Sequence, residues 1–126
     1  MKERSVLFWL LAVIAVITVL TGGGQVLMPG EILRLLKTDE TPVALQLFGT
    51  IGMFMVLFGA LMLNALFGPT HQPVAVFWAS LQKLGASVAV GIGVLHGTFS
   101  TLGWGVAGMD LVSGILGLWY WIGLPK

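Results

Sequence analysis

The chain contains no cysteine, which excludes disulfides, thiolate metal sites and thiol redox chemistry together and leaves the compartment unmarked by cysteine usage. Charge is nearly as scarce. Lys and Arg number 6 and Asp and Glu 5, or 9% of 126 residues, against about 25% in soluble globular domains. A net charge of +1 with no basic run excludes nucleic acid as a partner. Also missing are a Gly-rich phosphate loop, paired carboxylates, a nucleophile beside a base and a His/Asp/Glu metal cluster, so neither a self-contained enzyme nor a resident cofactor is expected. The 6 methionines are scattered without the Met-x-x-Met spacing of a copper path and are assigned to packing.

What remains is apolar: 57% of residues are hydrophobic and the mean hydropathy is +1.00. A hydrocarbon core of about 30 Å takes about 20 apolar residues per helix, so this length accommodates four spans, short connections and no separate soluble domain.

The first run, at about 5–21, follows Lys2 and Arg4 and ends at Gly22, Gly23 and Gly24. It is long for a signal sequence and no A-x-A site follows, so an uncleaved helix is expected. In "MPGEILRLLKTDETP", Ile32, Leu33, Leu35 and Leu36 oppose Glu31, Arg34 and Lys37. This predicts a short interfacial amphipathic helix over about 30–38. Thr41 before Pro42 is a hydroxyl N-cap with proline at the first helical position, opening a second span over 42–67. "GPTHQP" breaks that helix, Pro73 starts a third span over 73–97, and the uncharged "GTFSTLG" turns the chain into a fourth over 102–122. Trp9, Trp78, Trp119, Tyr120 and Trp121 fall toward one face of the bilayer and Trp104 toward the other, as interfacial anchors do. Lys2, Arg4 and Lys126 on the side of the termini, against Arg34 and Lys37 on the other, favour both termini in the cytoplasm.

Between Glu40 and Lys126 the only fully charged side chains are Lys83 and Asp110. Measured from the same side, Lys83 lies about 14 Å into the third span and Asp110 about 18 Å into the fourth. An ionisable group at the bilayer centre costs about 2.5 to 3.5 kcal/mol, so pairing is expected. The faces agree. Gly103, Ala107, Asp110, Gly114 and Gly117 recur at steps of four and three, and Ser80, Lys83, Ser87, Gly91, Val94 and Thr98 do nearly the same. Small-residue stripes let membrane helices approach closely, so these faces are predicted to pack with the pair at their seam. The pair then either fixes helix register, relays protons or ions, or meets a partner chain or ligand.

His96 lies about 140° around the third helix from Lys83, on another face. Gly93 and Gly97 flank it, so a flat macrocycle bonded axially to His96, a chlorophyll-type pigment or five-coordinate haem, is one reading; an interfacial histidine bonded to Gln46 or water is the plainer one. Gln46, Gly49, Gly52, Met53 and Ala60 form a mixed small and polar face assigned to helix contact.

The motifs "MPGEILRLL", "LFGTIGMFMVLFGA", "LQKLGAS" and "AGMDLVSGILGLWYW" make the chain resemble a large group of small bacterial four-helix membrane proteins of no established activity. The resemblance implies the fold and a Lys83 and Asp110 pairing. Where such sequences place an arginine or an acid early in the second span, this one has Gln46.

The sequence therefore predicts an all-α, four-helix transmembrane bundle of the bacterial inner membrane. The expected function is a non-catalytic accessory or scaffold subunit in contact with lipids and other transmembrane subunits or further copies of itself. The alternatives are a lipid, isoprenoid, quinone or pigment binder using Gln46, Gln82 and His96, and a small transporter or proton-coupled channel using Lys83 and Asp110.

Overall fold

A computed structural model describes residues 5–125. Among them the chain is all-helical, with α1 (Val6–Leu27), α2 (Pro29–Leu35), α3 (Pro42–Phe67), α4 (Pro73–Leu95) and α5 (Leu102–Ile122). All except α2 are long and apolar enough to cross a membrane. This is an integral membrane protein built on four spanning helices.

The starts follow their local chemistry. Ser5 Oγ accepts from the Phe8 amide at 3.2 Å, and Thr41 Oγ1 accepts from the Ala44 amide at 3.1 Å with Pro42 in the first turn. Each hydroxyl satisfies an amide that a helix start otherwise leaves unbonded. Two ends depend on left-handed residues. Gly97 has φ +75°, and the Thr98 amide reaches back to the Gly93 carbonyl at 2.9 Å. Lys37 has φ 54°, with the Thr38 amide on the Leu33 carbonyl at 3.1 Å. These wraps stop α4 at Leu95 and α2 at Leu35, slightly short of the expected boundaries.

The first span corrects the sequence reading more substantially, because α1 continues through the three glycines to Leu27. They do not break the helix, since Gly22 is a packing position: a Cβ there would lie 2.5 Å from the Gly52 carbonyl oxygen. Reciprocally, a Cβ on Gly52 would lie 2.6 Å from the Gly22 carbonyl oxygen, and one on Gly59 2.9 Å from that of Ala15. Backbones thus meet directly along α1 and α3. In lipid this matters, because apolar burial gives helices little reason to associate and close packing takes over. The mixed face expected on α3 is shifted: Gly52 and Gly59 are buried, with Met62 and Leu66, whereas Gln46, Met53 and Ala60 are exposed. Met53 and Ala60 each follow a seam glycine by one residue, about 100° around the helix, and so point to lipid.

The second pair, α4 with α5, has the faces the sequence predicts. Val94 abuts Gly103, Trp104 abuts Gly91, Leu84 abuts Gly114 and Ser80 abuts Gly117, while Ser87 Oγ donates to the Ala107 carbonyl at 2.8 Å. Partner numbers fall on one helix as they rise on the other, the register of an antiparallel pair. The two pairs join through Phe8, Leu11, Ala12, Ala15, Met62, Leu66, Val76 and Ala79. This core lies at the end where the Phe8 ring packs edge-on against Phe67 and tilted against Tyr120 and His71 bonds the Pro125 carbonyl at 2.6 Å. Both described chain ends therefore lie at one end of the bundle. The opposite end is covered by α2, whose Leu33 is buried. The Ser100 amide donates to the Leu36 carbonyl at 3.1 Å, and Thr38 Oγ1 donates to the Thr98 carbonyl at 3.2 Å, tying this cover to the turn between α4 and α5. Beside it Arg34 pairs with Glu31 and Glu40. The hydrogen bond and charge of Glu31, then the charge of Glu40, raise the guanidinium pKa above its ordinary value.

Candidate functional site

The polar centre of the bundle is a three-helix junction. Lys83 Nζ on α4 lies 3.3 Å from Asp110 Oδ1 on α5 and donates to Thr18 Oγ1 on α1 at 2.6 Å. The Thr18 hydroxyl in turn donates to the Ile14 carbonyl at 2.8 Å. The Lys83 and Asp110 side chains are 15% and 17% exposed, so most of the bulk contact of each charge is gone and pairing compensates for it. Each side chain lies about 12 Å or more from either end of its own helix.

A cleft of about 140 Å³ opens onto this pair between α1 and α5. Ile14, Ile17, Thr18 and Thr21 line it from α1, Val106, Met109, Asp110 and Ser113 from α5, with Met55 and Lys83 behind. An inner void of about 20 Å³ adjoins Lys83, Gln82, Ser80 and Ser113; that is room for one water. The serines at the junction are internally bonded, Ser80 Oγ to the Val76 carbonyl and Ser113 Oγ to that of Met109.

The remaining candidates do not converge here or on one another. Gln82 borders the inner void. Gln46 lies in a separate, shallow groove of about 460 Å³ with Val26, Pro29, Pro42, Leu45 and Thr50. His96 caps the end of α4 and is exposed, with no hydrogen bond to Gln46. Of the two glycines expected to flank a flat surface beside it, Gly93 is covered, since a Cβ there would lie 2.6 Å from the Phe99 ring, whereas Gly97 has nothing within 4 Å. Among the described residues no three His, Asp or Glu side chains group as metal ligands.

Thr18 is the member of the junction that sequence reasoning missed. Its signal was present: Leu11, Ala15, Thr18, Gly22 and Gln25, all buried, repeat at steps of four and three. Two polar residues of the most apolar span, Thr18 and Gln25, thus share a stripe with Ala15 and Gly22, while Thr21 is exposed.

No family model, curated protein or solved structure matches the chain.

Proposed function

We propose that the protein is a non-catalytic accessory or scaffold subunit of a larger membrane assembly, in a bacterial inner membrane with both termini cytoplasmic. One observation carries the reading: the mid-depth ion pair faces a cleft of about 140 Å³. Sites for small-molecule ligands run to about 300–1,000 Å³; this cleft is smaller, and a side chain from an adjoining helix fits it. Purification from native membranes in gentle detergent tests the role, with a stoichiometric membrane partner as the expected result and a strictly monomeric, partner-free species as the contrary one. The absence of cysteine makes topology simple to check. Asp39→Cys should react with an impermeant maleimide on intact cells from which the outer membrane has been stripped, and Pro69→Cys only after lysis.

A second reading, an amphiphile held at the membrane surface, is favoured by the groove beside Gln46. Its volume of about 460 Å³ is within the range of ligand sites, and it lies at the end covered by α2, where headgroups reside. Mass spectrometry of co-extracted lipids should then show a species lost in Gln46→Leu.

A further inference from the structure

We propose that the face formed by α1 and α5 is a homodimer interface, in which a two-fold axis along the membrane normal sets α1 of each copy against α5 of the other and the Thr21 hydroxyl donates across it to Asp110 Oδ2. The proposal shares one premise with the accessory-subunit reading, that the cleft takes a side chain from an adjoining helix, and adds whose helix it is.

An unused donor and an unused acceptor line the two walls of one cleft. Of the serine and threonine hydroxyls inside the spanning helices, those of Thr18, Thr50, Ser80 and Ser113 donate to the carbonyl one turn back on their own helix, the usual resort of such groups, and Ser87 donates to the Ala107 carbonyl. Thr21 does neither. It is exposed, and its hydroxyl has no partner among the described residues; hydrocarbon offers it no water. On the facing wall Asp110 Oδ1 accepts from Lys83, and Oδ2 has no partner among the described residues. Thr21 and Asp110 both line the cleft, whereas Gln82, the polar neighbour of Lys83 in sequence, borders the inner void instead.

Depth and symmetry bring donor and acceptor together. Thr18 is level with Asp110, since Lys83 bonds both, and Thr21 lies about 4.5 Å further toward the end covered by α2. Cβ bonds tilt toward the N-terminus of their own helix. On the antiparallel α1 and α5 the Thr21 side chain therefore leans back toward Thr18, that of Asp110 leans the opposite way, and the offset shrinks. Two copies of one topology that close into a dimer are related by an axis along the membrane normal. Such an axis preserves depth and, with α1 and α5 side by side on the shared face, puts α1 opposite α5, so the contact is made twice. A partner that satisfies this face has to offer an acceptor to Thr21 and a donor to Asp110 at one depth, and the same face of a second copy offers both. Gly105, one turn from Met109 on the cleft wall, has nothing within 4 Å of an added Cβ, so a neighbouring helix can approach α5 closely there.

Energy transfer between full chains carrying donor or acceptor dye at Asp39→Cys, reconstituted in phosphatidylcholine vesicles over a range of protein-to-lipid ratios, measures the association. A dimer is the expected result. Thr21→Val, which keeps the shape and removes the hydroxyl, should weaken it about tenfold, in line with the loss of two interhelical hydrogen bonds, and Thr21→Ser should restore most of the strength. Gly105→Leu, which fills open space, should abolish transfer. Both positions are exposed, so the helical content of each variant by circular dichroism should match the parent and lost transfer reports the interface. A monomer at every ratio, an association that Thr21→Val leaves unchanged, or one that survives Gly105→Leu would each overturn the proposal. In native membranes, a different protein bound to a single copy of the chain refutes the dimer alone, and a homodimer with no other partner refutes the subunit reading alone.

Discussion

Lys83 Nζ donates to Thr18 Oγ1 at 2.6 Å, so the cation that faces Asp110 on α5 also fastens α4 to α1. The other hydrogen bond and ion pair between spanning helices in this region run from α4 to α5. Thr18 is thus the polar link from one helix pair to the other. Thr18→Val keeps the shape and removes the acceptor, and should cost about 1 kcal/mol of stability. Thr18→Ser should cost less. Reversible unfolding in mixed micelles measures both, and a valine variant as stable as the parent would remove the link from the account.

The ion pair itself should show strong coupling. Lys83→Met leaves a carboxylate 17% exposed and Asp110→Leu an ammonium 15% exposed, each without its counter-charge. Breaking a buried pair costs about 3–5 kcal/mol because the survivor stays desolvated, so each single variant should lose about 3 kcal/mol. The double variant leaves no stranded charge and should recover most of that loss. A double-mutant cycle with additive losses would mean the two charges are solvated independently and the pair does not set the α4 and α5 register.

Glycine substitutions should separate seam from surface. At Gly52 a Cβ would lie 2.6 Å from the Gly22 carbonyl oxygen, and backbone has no rotamer with which to move aside. Gly52→Ala should therefore cost about 2 kcal/mol or more through forced separation of α1 and α3. At Gly85, Gly105 and Gly108 nothing lies within 4 Å of an added Cβ, so alanine there should be neutral or gain up to about 1 kcal/mol from helix propensity. Equal effects at the two classes of site would contradict close backbone contact between α1 and α3.

Most of the fold was legible because proline and hydroxyl caps act locally: Thr41, Pro42 and Pro73 mark helix starts without reference to any neighbour. The seam between α4 and α5 was legible for a related reason, since charge is so scarce that Lys83 and Asp110 have only one plausible way to avoid stranding each other. What escaped was decided by partners distant in sequence. Gly22, Gly23 and Gly24 read as a helix stop until Gly52 is placed against Gly22, where the missing side chain becomes the contact. Gln46 and His96 are close to the same membrane surface by depth, yet the helices carrying them present those side chains outward, and depth alone gives no azimuth. Thr18 was hidden by the length of its apolar surroundings, although its spacing from Ala15 and Gly22 placed it on the buried stripe.

The two left-handed residues at the end covered by α2 should respond in opposite directions. Gly97, at φ +75° with nothing within 4 Å of an added Cβ, is required for its backbone alone; Gly97→Ala should cost about 1 kcal/mol. Lys37, at φ 54°, is exposed and carries the strain of a side chain in that conformation. Lys37→Gly should relieve it and stabilise by up to about 1 kcal/mol, offset in part by the greater freedom of glycine in the unfolded chain. Because the Ser100 amide bonds the Leu36 carbonyl, loosening the end of α4 also loosens the anchor of α2. Hydrogen exchange at the Leu36 and Thr38 amides should then rise in Gly97→Ala as well as at Thr98. If exchange rose only within residues 97–101, the two turns would open independently, and α2 would owe its place to Leu33 rather than to the turn it touches.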